Sequence, residues 1–296
     1  MASDIQQIVE VTPDEPRRHN RFLRRLTRHR LGTGALLVFV LIVTSVVFAP
    51  LIAPQDPNEI SLKLRNSPPD GAHWLGTDHL GRDIFARLLY GGRASLSVGV
   101  AGISIAVSIG VILGAISGFL GGKVDAALLK FSEVVMCFPG FIIILTLVSL
   151  LGPSLFTVMA VLGLIQWTGI YRIVRNQLLS LREREFVLAA QALGAGWPSM
   201  AFRHLLPNAM APVIVGATLG IAAMILTEAG LSFLGVGVQV PAPSWGNMLA
   251  SAQSLAALRK YWWTWVPPGF AITLAVLCIN FIGDALRDAL DPREQI

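Results

Sequence analysis

Charge is what this chain has least of. Asp, Glu, Lys and Arg make up 14% of its 296 residues, against about a quarter in soluble domains. An ordinary water-soluble fold is therefore excluded. With 54% hydrophobic residues and a mean hydropathy of +0.64, lipid rather than water sets the core. Cysteine is scarce too. Cys137 and Cys278 both sit in apolar runs without polar neighbours, which makes them small packing residues rather than a disulfide or a metal site. A phosphate-binding loop is missing: the nearest stretch, Gly121-Gly122-Lys123-Val124, lacks the upstream Gly and the following Ser or Thr. The five histidines, at 19, 29, 73, 79 and 204, are scattered without metal-ligand spacing, and no Ser–His–Asp arrangement is suggested. Nothing in the chain equips it for catalysis or calls for a bound cofactor.

Long apolar runs are what is present. Six are long enough to cross roughly 30 Å of hydrocarbon: Gly32–Ile52, Ala94–Leu120, Val134–Leu151, Ser154–Tyr171, Ala209–Leu234 and Trp262–Ile282. None alternates in polarity, so helices and not a barrel are expected. The fold class is an all-α polytopic membrane protein. Residues 1–20 form a disordered cytoplasmic tail, 21–92 carry the first span and an extracytoplasmic loop, and 93–290 form the main membrane domain. The opening segment is no secretory signal, because its polar leader is too long and no small-residue cleavage site follows. The net charge of +5 does not point to nucleic acid, since the basic residues flank apolar spans. Most of them fall inside if both termini are cytoplasmic. Trp262, Trp263 and Trp265 then fit an outer aromatic belt, and Trp167 and Tyr171 an inner one.

Three smaller features stand out. Gly110, Gly114 and Gly118 belong to a stripe of small residues four apart in the second span. Such a face lets helices approach closely, whether within the chain or at a subunit seam. Pro139-Gly140 is expected to kink the third span. Glu228 is acidic inside an apolar run, where a charge is expensive and faces a cavity or a partner. It and Gln166 are candidate pathway residues; a hydrogen-bonded packing role is the alternative. Asp125 and Glu133 are expected to pair locally with Lys123 and Lys130.

The most informative stretch is the polar insert 182–208. Phe186, Ala189, Ala190 and Leu193 are spaced for one apolar helix face. Gly194 supplies a left-handed stop, Pro198 suits the first turn of a second helix and Pro207 ends it. Ala189-Ala190-x-x-x-Gly194, followed after nine residues by His204-Leu205-Leu206-Pro207, resembles the signature loop of ABC importer permeases. The family pattern has Glu where this chain has Leu188, and Ile where it has His204. His73-Trp74-Leu75-Gly76-Thr77-Asp78 through Gly81-Arg82-Asp83, Glu228-Ala229-Gly230-Leu231-Ser232-Phe233-Leu234-Gly235, and Gly283-Asp284-Ala285-Leu286-Arg287-Asp288-Ala289-Leu290-Asp291-Pro292 narrow the resemblance to the C-type permease subunit of dipeptide, oligopeptide and nickel importers.

The resemblance implies a non-catalytic subunit of a bacterial inner-membrane importer, paired with a homologous B-type permease. Two cytoplasmic ABC ATPases would bind ATP and Mg, and an extracytoplasmic binding protein would deliver the cargo. It implies a coupling helix that docks on an ATPase through Phe186, Ala189, Ala190, Leu193, Gly194, Trp197, His204, Leu206 and Pro207. The implied cargo is a peptide; nickel, glutathione or an oligosaccharide is the alternative within the family. A stand-alone secondary transporter is the rival outside it.

Overall fold

Residues 30–185, 187, 189 and 205–290 are described by the computed structural model. Helices follow one another as α1 (Arg30–Val47), α2 (Ala49–Ile52), α3 (Ile84–Leu120), α4 (Gly122–Met136), α5 (Gly140–Leu151), α6 (Leu155–Arg182), α7 (Leu206–Phe233), α8 (Trp245–Leu249), α9 (Leu255–Lys260) and α10 (Val266–Leu290). No strand occurs among the described residues. Among the described residues five helices, α1, α3, α6, α7 and α10, are long and apolar enough to cross a membrane. The bent pair α4–α5 makes a sixth crossing if counted as one.

Several spans differ from the sequence expectation, each for a local reason. The third does not run through Val134–Leu151. It breaks at Cys137–Pro139 and turns by 80°, because Pro139 cannot continue α4 and instead precedes the first turn of α5. At 12 residues, α5 is only about 18 Å long, too short to cross by itself. The second span starts ahead of Ala94, at Ile84, since the Asp83 carboxylate accepts the Ala86 N–H and caps the helix there. With 37 residues, α3 is about 55 Å long and projects beyond the hydrocarbon. The fourth span likewise continues past Tyr171 to Arg182, from a Ser154 cap. In the sixth, the tryptophan run forms a separate short turn at Trp262–Thr264, and Pro267 and Pro268 lie in the first turn of α10, where a missing N–H is harmless.

The small-residue stripe of α3 packs inside the chain. A Cβ added at Gly110, Gly114 or Gly118 would lie 2.7 Å from the Cβ of Ile170, Val174 or Leu178 respectively. Each step of four on α3 thus meets a step of four on α6, and the two helices run parallel with their backbones close together. Across this pair lies α7, through Ile103, Ala106 and Met224. In turn α10 packs on α7 through Ala222, Ile225 and Ile279, and α1 packs against α10. Large apolar side chains on α1 and α5, among them Leu37, Leu41, Ile142, Leu150 and Leu151, are exposed, as a bilayer or a neighbouring membrane subunit requires.

The aromatic expectations need correction. Trp263 is buried and its indole N–H donates to the Thr77 carbonyl. Trp167 and Tyr171 are buried as well, Trp167 between Phe131 and Tyr171. These rings pack within the chain rather than at a lipid interface; Trp262 does remain exposed.

Candidate functional site

The insert 182–208 leaves from the end of α6 and returns at the start of α7. Phe186, Ala190, Leu193, Gly194, Trp197 and His204 lie outside the described residues. Ala189 is helical. Leu206 and Pro207 open α7, with Pro207 in its first turn; the second insert helix that Pro207 was expected to end lies outside the described residues. What the structure does show is how the insert is rooted. Val187 on the way out and Leu205 on the way back are both fully buried. They share one apolar cluster with Ile170, Val174 and Leu178 of α6 and Ala209 and Val213 of α7. Val174 and Leu178 are the residues that fill the α3 glycine stripe. The two ends of the insert therefore grip the parallel α3–α6 pair, and both spring from rigid elements.

A polar network locks the same end of the bundle. The Arg175 guanidinium forms a bidentate pair with the Asp125 carboxylate, the strongest geometry open to such a pair. Asp125 also accepts the Ser117 hydroxyl, which lies 3.0 Å from the Tyr171 hydroxyl. Arg182 donates to the Gly118 carbonyl at 3.2 Å. The expected local pairing of Asp125 with Lys123 or Lys130 gives way to this longer-range bond. Gly121 (φ +62) and Gly122 (φ +54) turn the chain so sharply between α3 and α4 that Asp125 comes round to face α6. Only a residue without a Cβ adopts that turn cheaply. Nothing in the linear spacing of Asp125 and Arg175 announced the pair.

At the opposite end Glu228 is 0% exposed. Its Oε2 accepts the Ser95 hydroxyl at 3.0 Å and its Oε1 the Ser232 hydroxyl at 2.7 Å. The chain continues outward from there: Ser95 Oγ accepts the Trp245 N–H, and Ser232 Oγ the Val238 N–H. Glu228 thus ties α3 and α7 to the segment carrying α8, which is seated against Gly91, Gly92 and Ala229. The segment after α7 is tucked into its own chain around the buried Trp245. Gln166 is half-buried on α6, on the row of Leu162 and Ile170, and has no hydrogen bond among the described residues.

The loop between α2 and α3 is ordered by its own polar contacts. His73 Nδ1 lies 2.9 Å from the Asp83 carboxylate. Asp70 accepts the backbone N–H groups of His73 and Ala72, and the His73 bond holds its carboxyl below the usual carboxylate range. Asp78 receives Arg82 Nε at 2.7 Å, with Arg87 Nε 3.8 Å away. The i,i+4 spacing of Asp78 and Arg82 was a visible signal of that pair.

Comparison with known proteins agrees with this architecture. Residues 110–296 match the family described as binding-protein-dependent transport system inner membrane component. Residues 20–69 match the N-terminal transmembrane domain of oligopeptide transport permease C. An oligopeptide transport system permease protein of Bacillus subtilis strain 168 is 40% identical over 270 residues, covering 91% of this chain and 88% of that one. The corresponding oligopeptide permease of Haemophilus influenzae is 39% identical over 274 residues, 92% and 88% of the two chains. A Brucella suis protein named only provisionally as a peptide permease is 45% identical over 291 residues, 98% and 95%. Five to six membrane-crossing helices, an insert rooted between α6 and α7 and this extent of identity place the chain among multi-pass inner-membrane proteins: it belongs to the family of binding-protein-dependent transport system inner membrane components, the permeases of ABC importers.

Proposed function

We propose that this chain is the C-type half of a peptide importer, and that ATP-driven motion enters it through the insert 182–208. The supporting observation is the shared root of the insert. Val187 and Leu205 sit in one cluster with the inner ends of α6 and α7, so a push on the insert displaces the α3–α6 pair as a unit. Close-packed helices move as bodies between discrete arrangements instead of deforming continuously. The ATPases that hydrolyse ATP with Mg, a B-type permease that completes the pathway and an extracytoplasmic binding protein are the partners this role requires. A peptide cargo follows the names of the relatives. The insert side of the bundle is then cytoplasmic, as are both termini.

The test is Gly194→Pro in the full transporter reconstituted in liposomes. Membrane insertion and complex assembly are expected to persist, while ATP-driven uptake of a labelled tripeptide disappears. Uptake at the wild-type rate, or uptake by this chain alone in vesicles without ATP, would refute the reading.

A further inference from the structure

Between the outer loop and the segment after α7 lies a cavity of about 1180 Å³, large enough for a small organic ligand. Its wall carries Arg65, Arg82, Arg87 and His79, and Asp78 is its one acidic residue. Arg82 and Arg87 are 5% and 3% exposed, so two guanidinium groups are buried beside one carboxylate. That carboxylate is already occupied. Asp78 Oδ1 accepts the backbone N–H of Leu80 and of Arg82, and Oδ2 accepts Arg82 Nε. Arg87 reaches one further acceptor, the Pro57 carbonyl at 3.0 Å. A guanidinium has five N–H donors in a planar fork. Both terminal nitrogens of Arg82 lack a protein acceptor among the described residues, although the side chain is almost entirely out of solvent. Trp265 Nε1 is the one fully buried side-chain polar atom left unpaired among the described residues, so the Arg82 nitrogens are open to the cavity they line, where a ligand can meet them.

We infer that this cavity is a binding site for a carboxylate-bearing small ligand, with the Arg82 fork, backed by Arg87, receiving the carboxylate. A planar carboxylate matches such a fork in two parallel hydrogen bonds. The remaining wall mixes polar side chains such as Asn66 and Ser254 with apolar Met248 and Val240, a lining that suits a peptide. The source of the carboxylate, the C-terminus of a peptide cargo, rests on the reading above; the site itself rests on the cavity and its surplus of buried positive charge.

The experiment uses the complete transporter in nanodiscs, without the binding protein, and the tripeptide Ala-Phe-Ala as the free acid and as its C-terminal amide. Affinities are read by thermophoresis. The acid is expected to bind about tenfold more tightly than the amide. Arg82→Gln should bring the two together, and Arg82→Lys, which keeps charge but loses the fork, should retain part of the gap. Equal affinity of acid and amide for the wild type, a gap unaltered in Arg82→Gln, or displacement of the acid by anionic lipid headgroups in the disc overturns the proposal. Parallel ATP-driven uptake of Ala-Phe-Ala separates the two readings. Uptake without an acid–amide difference sinks the site and leaves the peptide importer standing; the difference without uptake does the reverse.

Discussion

Glu228 is an acid in an apolar run whose hydrogen-bonded setting, one of the two roles its sequence position left open, is visible in the structure. An acid in an apolar helix suggests an opening, yet both its oxygens are taken by serines of its own chain. Its consequence is positional: without it, the Ser95 and Ser232 hydroxyls would be left buried with one partner fewer. Each such unmet group costs about 1–3 kcal/mol. In Glu228→Ala the segment 235–249 is therefore expected to loosen, with faster amide hydrogen exchange and a lower Tm of the purified complex. Glu228→Gln keeps an acceptor for one serine and should lose about half as much. Unaltered exchange across 235–249 in Glu228→Ala would show that the carboxylate does not hold α8 in place. Asp125 is the contrasting case at the other end, where a carboxylate expected to pair with its neighbours bonds instead across the bundle to Arg175.

At the scale of elements, the α3–α6 pair is the rigid spine, and its closeness depends on missing side chains. A Cβ at Gly114 would meet Val174 Cβ at 2.7 Å and the Tyr171 carbonyl at 2.9 Å. Neither neighbour is the free end of a flexible chain, so the helices must part. Overpacking of a close core typically costs 1–3 kcal/mol. Gly114→Leu should cost at least that, seen as a sharp fall in assembled transporter and in its thermal stability. Gly34→Ala, in open space, should leave both unchanged; a stable Gly114→Leu complex would contradict the spine. Much of this level was legible beforehand. Apolar run lengths gave five of the six expected crossings as single helices, the sixth being the bent α4–α5 pair, and the four-residue spacing of small residues gave a close-packing face. The break at Pro139 was legible as a kink, but its 80° angle was not, because α4 is held back by the long-range Asp125–Arg175 pair. Nor was the burial of Trp167, Tyr171 and Trp263, since an aromatic residue near a span end reads alike whether it faces lipid or a neighbouring helix.

For the whole molecule, the question is whether the insert and the membrane helices move as one body. Their joint is small. Val187 and Leu205 carry the root of the insert, and Leu205 is fully buried against residues of α6 and α7. Truncating a buried Leu to Ala typically costs 2–5 kcal/mol, through lost transfer energy and the cavity left behind. Here that loss falls first on the joint: Leu205 packs in the cluster that holds Val174 and Leu178, while the glycine contacts of the α3–α6 seam and the Asp125–Arg175 bond are made by other residues. Leu205→Ala should therefore assemble and still support ATP hydrolysis, yet transmit it poorly. The number of tripeptides imported per ATP hydrolysed is expected to fall by about tenfold or more, the factor that corresponds to 1.4 kcal/mol of lost coupling. The measurement is uptake and phosphate release in the same liposomes. If both rates fell together and their ratio held, the joint would be a stability element only, and motion would have to reach the bundle by another route.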